Sequence, residues 1–203
     1  MGGGLGGASS NAATVINFLL KVKGVRSSNE EFLKETAFSL GADIPFFLVN
    51  KNSVVEGIGE RVFPLKEKLA GIPVILIIPE GVSCSTKKMF KLWDLAKETE
   101  RGRDMLVADS SLKDSCSWEV LINNIENDFL DIYLKENPYL TPIYEQIRRE
   151  KELIISLSGT GSTFFVLSRR ERGMSLNKLA SCVRERLKGI KGVKFKLVET
   201  FIL

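Results

Sequence analysis

Dense apolar positions near the start of the chain predict two helices before any strand. From residue 12 to residue 23 the apolar side chains are too closely spaced for a surface helix, and they predict one that packs on two sides. Its N-cap is expected within Ser9-Ser10-Asn11. A second helix is expected from the capping-box pattern Ser28-Asn-Glu-Glu31 to Leu40, with Gly41 as a left-handed C-cap.

The pattern then changes to short segments with a strand-like composition. Pro45 disfavours helical geometry in the residue before it, so a helix-to-strand corner is predicted at Asp43, with a strand at residues 46–49. Two further short strands are predicted at residues 54–56 and 61–65, and the glycines between them are interpreted as turn residues. A linker is expected between Pro64 and Gly71.

From residue 72 onward the order of elements predicts a second domain. A continuous apolar run is followed by helices, a two-stranded hairpin, a helix and a closing strand. This is the split β-α-β order of a ferredoxin-like domain with extra helices after its first strand. Strands are predicted at residues 72–78, 153–157, 163–167 and 193–203, helices after Thr86 and at 118–136, 140–149 and 175–188, and an irregular polar segment at 98–117.

The amino-acid composition argues against several kinds of catalytic and binding site. The chain has 203 residues, 44% hydrophobic and 27% charged, as in soluble globular proteins. It has no histidine, so a general base must be Asp, Glu or Lys, and Ser-His and Cys-His nucleophile systems are excluded. The net charge of +4 is spread along the chain without a nucleic-acid recognition motif, so no nucleic-acid partner is expected.

Cysteine usage and the lack of long apolar runs indicate the compartment. Cys84, Cys116 and Cys182 are odd in number and far apart, which argues against a disulfide framework and against a zinc site. No apolar run approaches the length of a membrane span, and no signal peptide precedes the glycines. We therefore expect no membrane partner and a cytoplasmic location.

The first thirteen residues carry the strongest chemical signal. Five of them are glycine, which lets backbone N–H groups approach a ligand closely. A glycine loop that enters a helix N-terminus favours an anion such as phosphate, because unpaired N–H groups and the helix dipole point at the same place. A flexible Gly/Ser start is the alternative, although Leu5 interrupts the glycines and the helix begins without a polar spacer.

Three motifs in order resemble those of the GHMP kinases, and most closely the 4-diphosphocytidyl-2-C-methyl-D-erythritol kinases among them. They are the first glycine tract, the segment Gly41-Ala-Asp-Ile-Pro-Phe-Phe47, and Leu157-Ser-Gly-Thr-Gly-Ser-Thr-Phe-Phe165. The resemblance implies an α+β, GHMP kinase-like architecture of two domains. Residues 1–68 would form a partial ATP-binding domain of the ribosomal protein S5 domain 2-like type, and residues 69–203 a ferredoxin-like domain.

The resemblance also implies the roles of the glycine-rich segments. The family uses ATP with Mg²⁺, and the first tract would wrap the ATP phosphates. Ser10 would be the nearest hydroxyl for Mg²⁺, although most serines at helix starts only cap. Gly159, Thr160 and Gly161 would support the phosphate loop, whereas their spacing alone favours a tight hairpin turn. The implied ATP-binding residues are Met1, Gly2, Gly3, Gly4, Leu5, Gly6, Gly7, Ala8, Ser9 and Ser10.

Three side chains are implied for catalysis and substrate binding. Asp43 would accept or orient the proton of the attacking hydroxyl and contact the substrate, although a lone Asp after a helix is usually a turn former. Thr86 and Phe90 fall in the segment that lines the substrate side in this family, and Phe90 could instead be a core aromatic. The implied reaction is ATP-dependent phosphorylation of the 2-hydroxyl of 4-diphosphocytidyl-2-C-methyl-D-erythritol, in the non-mevalonate route to isoprenoid precursors.

The start of the sequence departs from the family. The strands that precede the loop there, with a lysine beside the aspartate, have no counterpart before Met1. We therefore expect the C-terminal two-thirds of a kinase, with little activity by itself and with uncovered helix faces that self-associate. The alternatives are a non-catalytic remnant that binds nucleotide or a partner, and a sister kinase that acts on another alcohol such as homoserine or mevalonate.

Overall fold

The computed structural model describes residues 3–24, 30–65, 69–99, 117–170 and 173–202. These residues form two compact units. One, the helical unit, comprises residues 6–65. The other, the sheet unit, comprises residues 3–5 together with the described residues from 69 onward.

In its described residues the helical unit contains three helices and one hairpin. Its elements are α1 (Gly7–Val22), α2 (Glu30–Leu40), α3 (Ile44–Val49), β1 (Ser53–Glu56) and β2 (Arg61–Pro64). The two strands pair in antiparallel fashion, from Ser53 opposite Pro64 to Glu56 opposite Arg61, as the sequence predicts. Among the described residues, its buried hydrophobic cluster consists of Ala13, Ala37 and Ile44.

Three expectations about this unit are wrong. Residues 44–49 form helix α3 rather than a strand, because Pro45 stands in the first helical turn, where its missing N–H costs no hydrogen bond. Helix α1 begins at Gly7, with the left-handed Gly6 as N-cap, so Ser10 lies inside the first turn. Gly41 is also not left-handed; its N–H donates to Ala37 and Phe38 while its carbonyl accepts from Ile44. The predicted cap at Ser28 lies outside the described residues.

The apolar side chains of α1 are largely exposed, although their density predicts packing on two sides. Val15, Phe18, Leu19 and Val22 are 55%, 62%, 49% and 65% exposed, and only Ala13 of this helix is buried. Positions 15, 18, 19 and 22 share one helix face because they follow the spacing i, i+3, i+4, i+7. The expectation of an uncovered apolar helix face is therefore confirmed.

The sheet unit contains four strands and five helices among its described residues. In chain order these elements are β3 (Pro73–Pro79), α4 (Thr86–Thr99), α5 (Trp118–Asn123), α6 (Leu130–Glu136), a 3₁₀ turn (Pro138–Leu140), α7 (Thr141–Arg148), β4 (Leu153–Leu157), β5 (Phe164–Ser168), α8 (Leu176–Leu187) and β6 (Phe195–Phe201). The predicted helix of residues 118–136 is in fact two helices. Most of the predicted irregular segment, residues 100–116, lies outside the described residues.

The four strands form one antiparallel sheet in the order β4-β5-β3-β6. Strand β3 is central, with Ile75 opposite Val166 of β5 and opposite Glu199 of β6. The order confirms the predicted ferredoxin-like arrangement. Across the described residues of the chain, no helix has the length and apolar character that a bilayer span requires.

Side chains alternate between the two faces of this sheet. Ile75, Ile77 and Phe164 lie on the face covered by α7 and α8, in a large cluster that also contains Ile143 and Val183. Val74, Ile154 and Leu167 lie on the opposite face, where Trp118 and Ile122 of α5 cover them. Because both faces of β4 are covered, all five of its residues are buried.

Candidate functional site

Within the sheet unit, the start of the first glycine tract lies against the second glycine loop, residues 158–162. The Ser158 hydroxyl donates to the Gly4 carbonyl at 2.8 Å, and the Thr163 N–H donates to the Gly3 carbonyl at 3.3 Å. Gly4 has a φ of +69°, and a Cβ there would come within 2.0 Å of the Ser158 carbonyl oxygen. Residue 4 must therefore be glycine for this contact to form.

Thr163 stands out beside this contact. It is fully buried, and its Oγ1 is the one buried side-chain polar atom without a hydrogen-bond partner among the described residues. A Cβ on Gly3 would lie 3.5 Å from that oxygen. Because a buried hydroxyl without a partner is costly, this position fits a hydrogen-bonding group bound beside the tract.

The second glycine loop is held from the segment that precedes α4 and from the first residue of that helix. The Cys84 thiol donates to the Thr160 carbonyl at 2.8 Å, and the hydroxyl oxygens of Thr86 and Thr160 lie 3.2 Å apart. The Ser162 hydroxyl donates to the Val82 carbonyl at 3.3 Å. Burial raises the pKa of the Cys84 thiol, so the sulfur remains a hydrogen-bond donor instead of becoming a thiolate.

Helix α6 holds the same loop from another direction. The Tyr133 hydroxyl donates to the Ser162 carbonyl at 3.3 Å, and its ring would lie 3.0 Å from a Cβ on Gly161. Burial raises the pKa of the Tyr133 phenol, which keeps the group protonated. The loop is therefore a fixed part of the sheet unit.

Thr86 and Phe90 lie one turn apart on α4. Thr86 is the first residue of the helix. Phe90 is 50% exposed and packs edge-to-face on Phe129, with the ring centroids 4.9 Å apart, and Trp93 lies 6.4 Å from the same ring. Phe90 is therefore not the core aromatic that the sequence left open as an alternative, and its outer face is available to a flat ligand.

Within the helical unit, the rest of the tract begins α1. Gly6 has no side chain to cap the helix, and the first turn contains no acidic residue. The first hydrogen bond within the helix is donated by the Ser10 N–H to the Gly6 carbonyl. A Cβ added to Gly7 would meet no atom within 4 Å. This helix start therefore has the unpaired N–H groups and the open approach that an anion requires.

Asp43 lies at the start of α3, the helix whose Phe47 contacts the start of α1. It occupies the N-cap position of α3, is exposed, and makes no capping bond with its side chain. Phe47 follows one helical turn later, and its ring lies 2.6 Å from where a Cβ of Gly6 would stand. The contact between Gly6 and Phe47 therefore joins the starts of α1 and α3.

A turn of the hairpin supports the Asp43 corner. Gly59 is buried with a φ of +117°, and a Cβ there would come within 2.4 Å of the carbonyl oxygen of Ala42, the residue before Asp43. The sequence interpretation of Gly59 as a simple turn residue missed this contact. No signal in the sequence pairs residues 42 and 59, because their approach depends on how the hairpin folds back.

The uncapped start of α1 fits an anion more clearly than the described residues fit a metal ion. The Ser10 hydroxyl donates to the Gly7 carbonyl at 3.1 Å. No group of three or more acidic, Cys or His side chains with metal-binding geometry occurs in the described part of the chain. Mg²⁺ is usually held by one or two carboxylates together with substrate phosphates, so a bound nucleotide would have to supply most of its ligands.

The implied site residues therefore fall into two local groups. Gly3, Gly4, Gly159–Gly161, Thr86 and Phe90 lie in the sheet unit, and Gly6–Ser10 and Asp43 lie in the helical unit. Met1 and Gly2 lie outside the described residues. Sequence reasoning missed Ser158, Asn127 and Phe47 as contacts of the glycine segments, because serine, asparagine and phenylalanine in turns or helices carry no spacing signal of their own.

Comparison with known proteins identifies relatives of this chain. The chain is 32% identical over 164 residues to a 4-diphosphocytidyl-2-C-methyl-D-erythritol kinase of Clostridium beijerinckii, covering 81% of this chain and 57% of that enzyme. It is 35% identical over 174 residues to the enzyme of the same name from Persephonella marina, covering 84% of this chain and 59% of that enzyme. The chain thus spans a little over half the length of these curated relatives. No protein-family model matches it.

A solved structure adds the three-dimensional match. A crystal structure of 4-(cytidine 5'-diphospho)-2C-methyl-D-erythritol kinase aligns with 97% of this chain at a TM-score of 0.63 and 26% identity, and 66% of that chain is covered. The match includes both units, and it supports the α+β architecture that the motifs imply. The chain is therefore homologous to part of the 4-diphosphocytidyl-2-C-methyl-D-erythritol kinases of the GHMP kinase family.

Proposed function

We propose that this protein transfers the γ-phosphoryl group of ATP to the 2-hydroxyl of 4-diphosphocytidyl-2-C-methyl-D-erythritol, a step in the non-mevalonate synthesis of isoprenoid precursors. The observation that carries the proposal is the start of α1, where Gly6 lies against Phe47 of the helix that begins after Asp43. An anion cradle and a carboxylate are thus linked by one ring contact. The relatives named above support the choice of substrate.

A role is proposed for each of these residues. The N–H groups of Gly6–Ser9 bind phosphate oxygens, and the uncapped end of α1 stabilises their negative charge. Asp43 accepts the proton of the attacking hydroxyl as that oxygen bonds to the γ-phosphorus and the bond to the β–γ bridging oxygen breaks. Mg²⁺ would neutralise phosphate charge, with Ser10 as its nearest hydroxyl.

Two further roles are proposed for residues within the sheet unit. Gly159, Thr160 and Gly161 support the phosphate loop through Gly3 and Gly4. Thr86 and the outer face of Phe90 bind the acceptor substrate. The proposed division is an ATP-binding domain at residues 1–68 and a ferredoxin-like domain at residues 69–203, acting in the cytoplasm without nucleic-acid or membrane partners.

The same chain is also proposed to self-associate through α1. The exposed stripe of Val15, Phe18, Leu19 and Val22 supports this, because monomeric proteins rarely expose a contiguous apolar face of this kind. A second copy can cover it with the same stripe. A concentration-dependent increase in mass by light scattering is expected, and a monomer at every concentration would contradict it.

The function is tested by an ADP-release assay with ATP and 4-diphosphocytidyl-2-C-methyl-D-erythritol. The assay compares this chain with a version extended to the length of its relatives, and we expect the higher turnover from the longer protein. In that version Asp43→Asn should lower kcat by about 10²- to 10⁴-fold while ATP binding persists. Asp131→Asn, another exposed aspartate, is the matched control and should leave kcat unchanged.

The outcomes separate the alternatives. Unchanged turnover in Asp43→Asn would remove Asp43 from its role. ATP binding without turnover at either length would favour a non-catalytic nucleotide-binding protein. Turnover with homoserine or mevalonate in place of the diphosphocytidyl substrate would assign a sister kinase instead.

A further inference from the structure

The side-chain amide of Asn127 forms hydrogen bonds to the second glycine loop and within its own turn. Its Nδ2 donates to the carbonyls of Leu157 and Gly159, both at 2.9 Å. Its Oδ1 accepts from the Phe129 N–H at 2.9 Å, which fixes the turn before α6. An asparagine amide has two N–H donors, so both are committed to this loop.

The two carbonyls that Asn127 holds flank Ser158. The Leu157 carbonyl belongs to the peptide plane that precedes Ser158, and the Gly159 carbonyl belongs to the plane that follows Gly159. Holding both limits the rotation of the backbone on the two sides of Ser158, and therefore the direction of its side chain. Ser158 is the residue whose hydroxyl donates to the Gly4 carbonyl at 2.8 Å. A path of hydrogen bonds thus runs from Asn127 to the first glycine tract, entirely within the sheet unit.

The other side-chain anchors of the loop act elsewhere, and the remaining bonds at Ser158 are backbone bonds, from its N–H to the Thr163 carbonyl and from the Gly161 N–H to its carbonyl. Cys84 and Thr86 bind Thr160, and Tyr133 binds the carbonyl of Ser162. None of these bonds involves the two carbonyls beside Ser158. The tight approach at Gly4, where a Cβ would meet the Ser158 carbonyl at 2.0 Å, leaves little tolerance for a rotated peptide at residue 158.

We infer that Asn127 is a positioning residue for the first glycine tract: by holding the carbonyls of Leu157 and Gly159, it directs the Ser158 hydroxyl onto the Gly4 carbonyl. The inference rests on the proposed function for its purpose, which is to place the start of the phosphate loop. The contact itself does not depend on that function.

Asn127→Asp tests the inference, because it keeps the oxygen that caps Phe129 and removes both donors to the loop. Asn124→Asp is the matched control: Asn124 donates its Nδ2 to the Val120 carbonyl at 2.7 Å and has no bond to the loop. Ser158→Ala removes only the final hydrogen bond. All three are measured in this chain, with tryptophan fluorescence as the check of folding.

The first measurement needs no nucleotide. The ¹³C chemical shift of the Gly4 carbonyl reports its hydrogen bond, and amide exchange of Thr163 reports the adjacent bond to Gly3. Ser158→Ala and Asn127→Asp should move the Gly4 signal in the same direction and raise exchange at Thr163 about tenfold or more, whereas Asn124→Asp should change neither. In the double variant the two effects should not add.

The inference would be overturned if Ser158→Ala did not change the chemical shift of the Gly4 carbonyl, or if Asn127→Asp did not change it. Additive effects in the double variant would also contradict it. If Asn127→Asp does not fold, Asn127→Ser is measured in the same way, since it also lacks the amide donors.

The second measurement is the affinity for ATP in the version extended to the length of the relatives. Asn127→Asp should raise the KM for ATP about tenfold and leave the KM for the acceptor alcohol unchanged, whereas a general loss of structure would change both. If the unmodified protein binds no ATP, the proposed function fails while the Gly4 signal still decides the role of Asn127. If Asn127→Asp changes the chemical shift of the Gly4 carbonyl but leaves the KM for ATP unchanged, the contact does not serve to place the phosphate loop.

Discussion

The sheet unit and the helical unit bury very different amounts of apolar surface. In the sheet unit both faces of the central strands are covered, and Ile75, Ile77 and Phe164 are fully buried. In the helical unit, among the residues that the structure describes, the buried cluster is limited to Ala13, Ala37 and Ile44. Two of these three are alanines, so the cluster removes little apolar area from water.

The difference shows where each unit obtains its stability. The sheet unit has the long-range strand pairing and filled core of an independent domain. The helical unit has short-range contacts and a helix whose larger apolar side chains face outward. Both tryptophans of the chain, Trp93 and Trp118, lie in the sheet unit, so their fluorescence reports that unit alone.

The largest expected effect is the loss of a core ring from the sheet unit. Phe164→Ala removes a fully buried side chain that packs edge-to-face on Tyr133, with centroids 5.8 Å apart. We expect it to lower the free energy of unfolding by about 3–5 kcal/mol, because it leaves a cavity as well as losing apolar contact. Urea unfolding followed by tryptophan fluorescence measures it. A loss below about 1 kcal/mol would mean that the sheet core collapses to fill the gap.

A smaller effect is expected at the hairpin that supports Asp43. Gly59→Ala places a methyl group against the Ala42 carbonyl at a φ of +117° and should destabilise the helical unit by about 1–3 kcal/mol. It should also lower kcat in the extended kinase, because the corner before Asp43 must move. Circular dichroism should detect the change while tryptophan fluorescence does not. Gly71→Ala, at a φ of +85° with open space around the added methyl, is the control for backbone strain alone.

A still smaller change in stability is expected on α1. Phe18→Ala removes a ring that is 62% exposed, so the free energy of unfolding should change by less than about 0.5 kcal/mol. The same substitution should weaken self-association, because it removes the largest member of the exposed stripe. Light scattering across a concentration series measures this. A cost similar to that of Phe164→Ala would show that the stripe is covered in solution within a single molecule.

The smallest effect is a local dependence on pH in the hairpin. The pKa of the Glu60 carboxyl is lowered below its usual 4.5 by hydrogen bonds from backbone N–H groups, first its own and then that of Ile58. A lowered folded-state pKa means that this carboxylate stabilises the turn above pH 4.5 and that the contribution is lost as the pH falls through the folded-state pKa. The Ile58 amide signal should follow this titration, Glu60→Gln should abolish it, and Glu35→Gln should leave it unchanged.

The sequence predicted the sheet unit better than the helical one. The order of strands and helices after residue 72 and the ferredoxin-like pairing followed from apolar runs separated by amphipathic helices. The segment at residues 44–49 was assigned wrongly, because a short apolar run does not distinguish a strand from a helix turn and Pro45 is tolerated at a helix start. The helix start at Gly7 was missed because glycine has a low intrinsic helix propensity. In the structure the helix nevertheless begins there, with the Ser10 N–H donating to the Gly6 carbonyl.

For the candidate site, the sequence supplied the residue types and their order along the chain. These features are local, so they can be recognised in the sequence alone: the glycine tract before an apolar helix, the aspartate beside Pro45 and the second glycine loop. The tertiary structure decided which of them touch: Gly4 with Ser158, Gly6 with Phe47, and Gly59 with Ala42. It also decided that Asn127 spends both amide donors on the second glycine loop. Contacts between residues that are distant in the chain, such as Gly4 and Ser158, which lie 154 positions apart, depend on how sheets and helices pack, and no local pattern encodes that geometry.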